Sequence, residues 1–154
     1  MFDETGLRMM ALAGTGYCCS QIMVVLALEG MGRENPDLVR AAAGLCHGVG
    51  GCEGPCGILV GGSAVLGLHA GKGTDDEEPD ERLPLLLAEF ADWFRERATA
   101  QYGGISCGAI LGDECGKPDP SRCGPLLSEA YGQILDLLTA QDIDPTQGRG
   151  DGLA

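Results

Sequence analysis

The run from Pro55 to Ala70, PCGILVGGSAVLGLHA, most restricts the folds open to this chain. Between Cys56 and Gly71 it carries no charge apart from His69, so no face of it favours water and it has to be enclosed. At 16 residues it falls short of the ~20 apolar residues that a membrane span needs, which leaves the interior of a folded domain. Pro55 marks a helix start, and the pattern predicts a buried central helix over 55–70. Its small residues Gly57, Gly61, Ser63 and Gly67 let neighbouring backbones come close; a membrane dimer motif built on them is disfavoured by the flanks and the length.

The segments that enclose such a helix read as helices too. One is predicted over 3–13, stopped by Gly14 and Gly16, and a second starts near Tyr17 and ends at Gly30. A third follows Asn35-Pro36, an N-cap with Pro at the first helical position. A fifth, over 82–101, lines up Leu83, Leu86, Leu87, Phe90, Trp93 and Phe94 at helical spacing, with Trp93 read as core. The last, over 124–141, does the same with Leu126, Leu127, Tyr131, Ile134, Leu137 and Leu138, and between these two a short helical turn is mixed with loop. KGTDDEEPDE, residues 72–81, is a solvated acidic connection. With no sustained apolar–polar alternation, the expected fold is all-α: a single-domain bundle of about five or six helices over 1–141, with a disordered tail over 142–154.

A chain of 154 residues buries about 70% of its unfolded surface and needs no disulfide or metal to fold. Its eight cysteines therefore ask for another explanation. They fall as Cys18 and Cys19; Cys46, Cys52 and Cys56; and Cys107, Cys115 and Cys123, with no Cys-x-x-Cys among them. That spacing counts against zinc ribbons, thioredoxin-type sites and ferredoxin motifs. Any site has to be assembled by tertiary packing from separate helices. Cys19, Cys56, Cys107 and Cys123 each stand at an expected helix start, where unsatisfied N–H groups and the helix dipole favour a thiolate. Lowered thiol pKa values are the expectation at these four positions.

GYCCSQIMVVLAL, GGCEGPCGILVGGSAVLGL, GGISCGAILG and RCGPLLSEAYGQIL, in that order, resemble the redox-active protein family named for its C_GCAxxG_C_C cysteine pattern, over about residues 14–138. The resemblance places the family cysteines at Cys19, Cys56, Cys107 and Cys123, and the glycines of Cys-Gly-Ala-x-x-Gly at Gly57 and Gly61, with Ile58 departing from the usual Ala. Cys18, Cys46, Cys52 and Cys115 are additional to the pattern. The resemblance implies redox activity and a bound prosthetic group of the iron–sulfur kind. Two chemistries follow. In one, the four cysteines are ligands of an iron–sulfur cluster, with Gly57 and Gly61 as part of its binding element, and the protein is an electron-transfer or sensor module. In the other, pairs of the same four cysteines are catalytic and cycle between dithiol and disulfide, so that the protein, if an enzyme, is an oxidoreductase. A zinc-binding helical module is a blander alternative, since soft thiolates also suit zinc.

With 10 basic residues scattered along the chain and a formal charge of −13, nucleic-acid binding is disfavoured. An acidic surface suits solubility or a basic redox partner. The N-terminus is acidic where a secretory signal would be basic, so the expected location is the cytoplasm, where a cysteine cluster points to metal or redox chemistry. The apolar stripes and Gly-rich faces make a homodimer a further expectation. His47, beside Cys46, reads as a loop histidine rather than a ligand, and His69 as a partner of its helix's C-terminal dipole.

Overall fold

A computed structural model describes residues 3–117 and 119–150. Seven α-helices follow one another in this region: α1 (Glu4–Gly14), α2 (Cys19–Gly30), α3 (Pro36–Ala43), α4 (Gly57–Ala70), α5 (Leu83–Tyr102), α6 (Cys107–Leu111) and α7 (Pro120–Ala140). A 3₁₀ turn over Gly112–Glu114 extends α6. Among the described residues there is no strand, only an isolated antiparallel bridge between Pro55 and Ser106. The all-α reading holds. The count exceeds five or six because the turn at Cys107 closes into a helix of its own, capped by Ser106, whose Oγ accepts from the Ala109 N–H at 2.9 Å.

The uncharged run is the central helix. Ile58, Val65, Leu66 and Ala70 of α4 are all but fully buried, and α4 packs on α2, α5 and α7. Glycines on two of its faces make that possible. A Cβ on Gly61 would lie 2.7 Å from the Ser20 Cα and 3.0 Å from the Ser20 carbonyl oxygen, so the α2 backbone rests directly on α4. On the other side a Cβ on Gly62 would lie 2.6 Å from the Phe90 ring of α5 and 2.8 Å from the Ile134 side chain of α7. The stripes read from α5 and α7 supply this shell: Leu86, Phe90, Phe94, Leu126, Ile134 and Leu138 are at most 1% exposed. Trp93 is partly buried against the core and stacks on Phe90.

Three local readings change. Helix α7 starts at Pro120, not at Gly124, because Asp119 caps it by accepting from the Ser121 N–H at 2.9 Å and Pro120 takes the first helical position. Pro125 lies inside the helix, and Cys123 is within its first turns rather than before it. At α4 the first helical residue is Gly57, and Cys56 is the N-cap. Residues 142–150, assigned from the sequence to a disordered tail, lie along the end of α4. The Pro145 carbonyl stands 3.2 Å from Nε2 of the buried His69, and the Arg149 guanidinium donates to the carbonyls of Ala70, Gly71 and Glu78. The remainder of that tail, 151–154, lies outside the described residues. His69 also places Nδ1 3.0 Å from the Val65 carbonyl, so it tethers a following segment besides ending a helix.

Candidate functional site

The two Cys-Gly segments that begin α4 and α6, 51 positions apart in sequence, meet backbone to backbone. The Cys56 N–H donates to the Ile105 carbonyl at 2.8 Å, the Cys107 N–H to the Gly54 carbonyl at 3.2 Å, and the Gly108 N–H to the Cys52 carbonyl at 2.8 Å. These bonds set the N-termini of two helices side by side, with Cys56 and Cys107 at their openings. Cys19 arrives from α2, where it is the first helical residue after the N-cap Cys18, whose N–H donates to the Gln21 side chain at 3.2 Å. The Cys19 sulfur occupies the space that a Cβ on Gly57 would take. Gly57 and Gly61 are thus the positions where α2 and α4 touch, and both serve the approach of the α2 start that carries Cys19.

Cys123 is brought in by α7, whose first turns are tied to α6. Arg122 donates from Nη1 to the Ile110 carbonyl at 2.9 Å, and the Tyr102 hydroxyl donates to the Arg122 carbonyl at 3.4 Å. Each of the four cysteines comes from a different helix terminus or first turn, and all four are unpaired thiols. Cys56 and Cys107 are buried, while Cys19 and Cys123 are half-buried.

Their acidity runs opposite to the expectation from the sequence. Burial pushes the Cys56 thiol up to about 12, with Cys19 and then Cys123 adding to the effect. Cys19 is pushed up to about 11, first by burial, then by Cys123 and more weakly by Cys107. Cys107 and Cys123 are raised as well, both mainly by burial, and Cys123 is raised further by Cys107. The helix-terminal N–H groups do act as supposed: those of Ile58 and Leu59 favour the Cys56 thiolate, and that of Ser20 favours the Cys19 thiolate. Desolvation outweighs them, because Cys56 and Cys107 are buried and Cys19 and Cys123 half-buried. Among Cys19, Cys56 and Cys123 the effects between thiols also disfavour a second negative charge.

Four neutral thiols on separate elements, two buried and two half-buried, are, as a donor set, suited to a soft metal centre, whose charge would remove the penalty that holds their protons on. In spacing they are not closed on a common point: among the described residues no three His, Cys, Asp or Glu side chains form a group that could hold a metal ion. His47 belongs to no such group either and stands in the loop before Cys52 with φ 56°.

Sequence reasoning left the other four cysteines without a role, and the structure pairs them. Cys18 is bonded to Cys46 and Cys52 to Cys115, each with Cα atoms 6.1 Å apart, within the range a disulfide spans. Cys18 is not paired with the adjacent Cys19, which is a free thiol. Ser20 Oγ, which donates to the Ala42 carbonyl at 2.8 Å, sits 2.9 Å from the Cys46 sulfur. The Cys115 sulfur lies 3.9 Å from that of Cys107. Nothing in the spacing could have given these partners, because they depend on how distant loops are folded together.

What fold and site define is an all-α, cysteine-rich protein with four unpaired thiols at or near helix starts and two disulfides. The family model described as "Putative redox-active protein (C_GCAxxG_C_C)" matches residues 17–137, and the chain belongs to this family. No curated protein and no solved structure matches it. No helix among the described residues is long and apolar enough to cross a membrane.

Proposed function

We propose that Cys19, Cys56, Cys107 and Cys123 are the thiolate ligands of an iron–sulfur cluster and that the protein transfers electrons or senses redox state through it. The observation that carries this reading is the sorting of the eight cysteines. The four that match the family pattern are the four left unpaired, and they influence one another electrostatically, whereas the four additional ones are joined in disulfides. A cluster of this kind, when bound, supplies one-electron exchange. The chain's own part is to provide four sulfurs from separate rigid elements, to release their protons as the centre binds, and to exclude water. The N–H groups of Ile58 and Leu59 at Cys56, and of Ser20 at Cys19, then stabilise anionic sulfur, and the core around Cys56 provides the apolar shell. A cytoplasmic setting and a protein redox partner suit this role.

The test is anaerobic reconstitution of the full chain with iron and sulfide under reductant. Iron, acid-labile sulfide and visible charge-transfer bands are expected in the wild type and in Cys18→Ser, Cys46→Ser, Cys52→Ser and Cys115→Ser. Cys19→Ser, Cys56→Ser, Cys107→Ser and Cys123→Ser are each expected to lose most of the bound iron. Full metal content in all four of the latter would refute this ligand set, and a colourless, metal-free wild type whose thiols pair on mild oxidation would replace the cluster by dithiol–disulfide chemistry.

A further inference from the structure

We propose that the Cys52–Cys115 disulfide is a redox gate on the four-thiol cluster, operated by exchange with Cys107. The Cys107 sulfur lies 3.9 Å from Cys115 Sγ, close to van der Waals contact. In the exchange Cys107 gives its proton to solvent and its sulfur attacks Cys115 Sγ. The Cys107–Cys115 bond forms, the Cys52–Cys115 bond breaks, and Cys52 leaves as a thiolate that takes up a proton. One disulfide and one thiol are present before and after, so the step needs no external oxidant or reductant.

The loop that carries Cys52 favours its release. Between Cys46 and Cys52, five residues have left-handed backbones: His47 (φ 56°), Gly48 (63°), Val49 (60°), Gly50 (84°) and Cys52 (68°). Gly48 and Gly50 adopt this region freely, but His47, Cys52 and above all the β-branched Val49 are strained there. Such strain persists only where the surroundings impose it. Here the loop is pinned at one end through Cys46 to Cys18 and at the other through Cys52 to Cys115. It is also closed tightly on itself, since a Cβ on Gly48 would lie 2.9 Å from the Gly54 carbonyl oxygen. Freeing Cys52 releases one of the two covalent pins.

Cys52 and Cys115 are half-buried, and Cys107 is only 7% exposed. A dithiol or other reductant from solution therefore reaches the disulfide more readily than the inner thiols; once it has reduced Cys52–Cys115 no exchange is possible and Cys107 stays a free thiol, whereas the intact disulfide can pass to Cys107. After exchange the cluster keeps Cys19, Cys56 and Cys123 and lacks the fourth thiol. The exchange itself stands apart from any metal; only its effect on ligand supply rests on the iron–sulfur reading.

Metal-free full-length protein with its disulfides intact, held anaerobically without added thiol, is quenched with acid, alkylated, digested and mapped for linked peptides. The wild type is expected to contain both Cys52–Cys115 and Cys107–Cys115 links, with Cys52 alkylated in the molecules that carry the second. Cys107→Ser is expected to lose the Cys52 alkylation that accompanies exchange, leaving only the Cys52–Cys115 link. Absence of any Cys107–Cys115 link in the wild type overturns the proposal, as does Cys115 linked to Cys19, Cys56 or Cys123 in its place. The deciding readout is in the wild type, so a folding defect in the variant does not obscure it. Iron and sulfide content is measured separately: exchange without a cluster refutes only the ligand reading, and a cluster without exchange refutes only the gate.

Discussion

Gly61→Ala tests whether the close seating of α2 on α4 is what positions Cys19. The added Cβ would lie 2.7 Å from the Ser20 Cα and 3.0 Å from the Ser20 carbonyl oxygen, both backbone atoms of the residue next to Cys19, so no rotamer change relieves it. Ordinary contact begins near 3.4 Å, so α2 has to withdraw by about 0.7 Å at its N-terminus. Overpacking of this kind costs about 1–3 kcal/mol. Exchanging Gly for Ala inside a helix returns up to about 1 kcal/mol, which leaves a net loss of about 1–2 kcal/mol. At about 2–4 °C per kcal/mol for a chain of this size, the thermal midpoint falls by several degrees. Gly67→Ala, on the same helix with nothing within 4 Å of its Cβ position, is the control and is expected to gain about 0.5–1 kcal/mol from propensity alone. Thermal unfolding followed by far-ultraviolet circular dichroism reads both variants. A Gly61→Ala protein as stable as Gly67→Ala would refute the claim that backbone contact between α2 and α4 sets the geometry of the site.

Alkaline pH should weaken the fold through the buried thiols. Their folded pKa values lie above the ordinary thiol value of 9.0, at about 11 for Cys19 and about 12 for Cys56, so the native state favours the neutral form. That stability is complete below about pH 9 and is lost as pH rises toward 11–12, because the unfolded chain gives up protons that the folded one retains. Urea midpoints should fall between pH 8.5 and 10.5, both ~1 unit or more below the folded value of Cys56, and fall less steeply in Cys56→Ala; equal slopes would argue against the raised values. Arg149→Ala removes a guanidinium that donates to the Ala70 carbonyl at 3.2 Å and the Gly71 carbonyl at 2.7 Å, besides that of Glu78. It is expected to cost about 1.5–3 kcal/mol at most and to speed amide hydrogen exchange in 142–150 and in the acidic 72–81 connection. Unchanged exchange there would mean that the segment is held by other contacts.

The parts of the fold legible in the sequence are those with local causes. Asp3 and Asn35 cap α1 and α3 by accepting from the Gly6 and Leu38 N–H groups, as residue type and position imply. The stripes of α5 and α7 face the core because a period of 3.6 aligns Leu86, Phe90 and Phe94, and likewise Leu127, Ile134 and Leu138. Helix α7 begins four residues before the expected Gly124, where Asp119 caps it by accepting from the Ser121 N–H and Pro120 takes the first helical position. The ordering of 142–150 could not be read from its polar composition, since its partners are carbonyls at the far end of α4 and in the acidic loop.

By itself, then, the sequence determined that the uncharged helix is enclosed, that the surrounding elements are helical, and that Cys19, Cys56, Cys107 and Cys123 open or nearly open four of them. These are properties of periodicity, caps and residue order, which act over a few residues. Tertiary structure alone decided the acidity of those cysteines and the partners of the other four. A helix terminus lowers a thiol pKa through its own N–H groups, but the opposing desolvation is set by residues folded in from elsewhere, and it wins at Cys19 and Cys56. Pairing depends on the same long-range closure: Cys18 finds Cys46 rather than its neighbour Cys19, and Cys115 comes to rest between Cys52 and Cys107 only because α6 begins against the loop before α4.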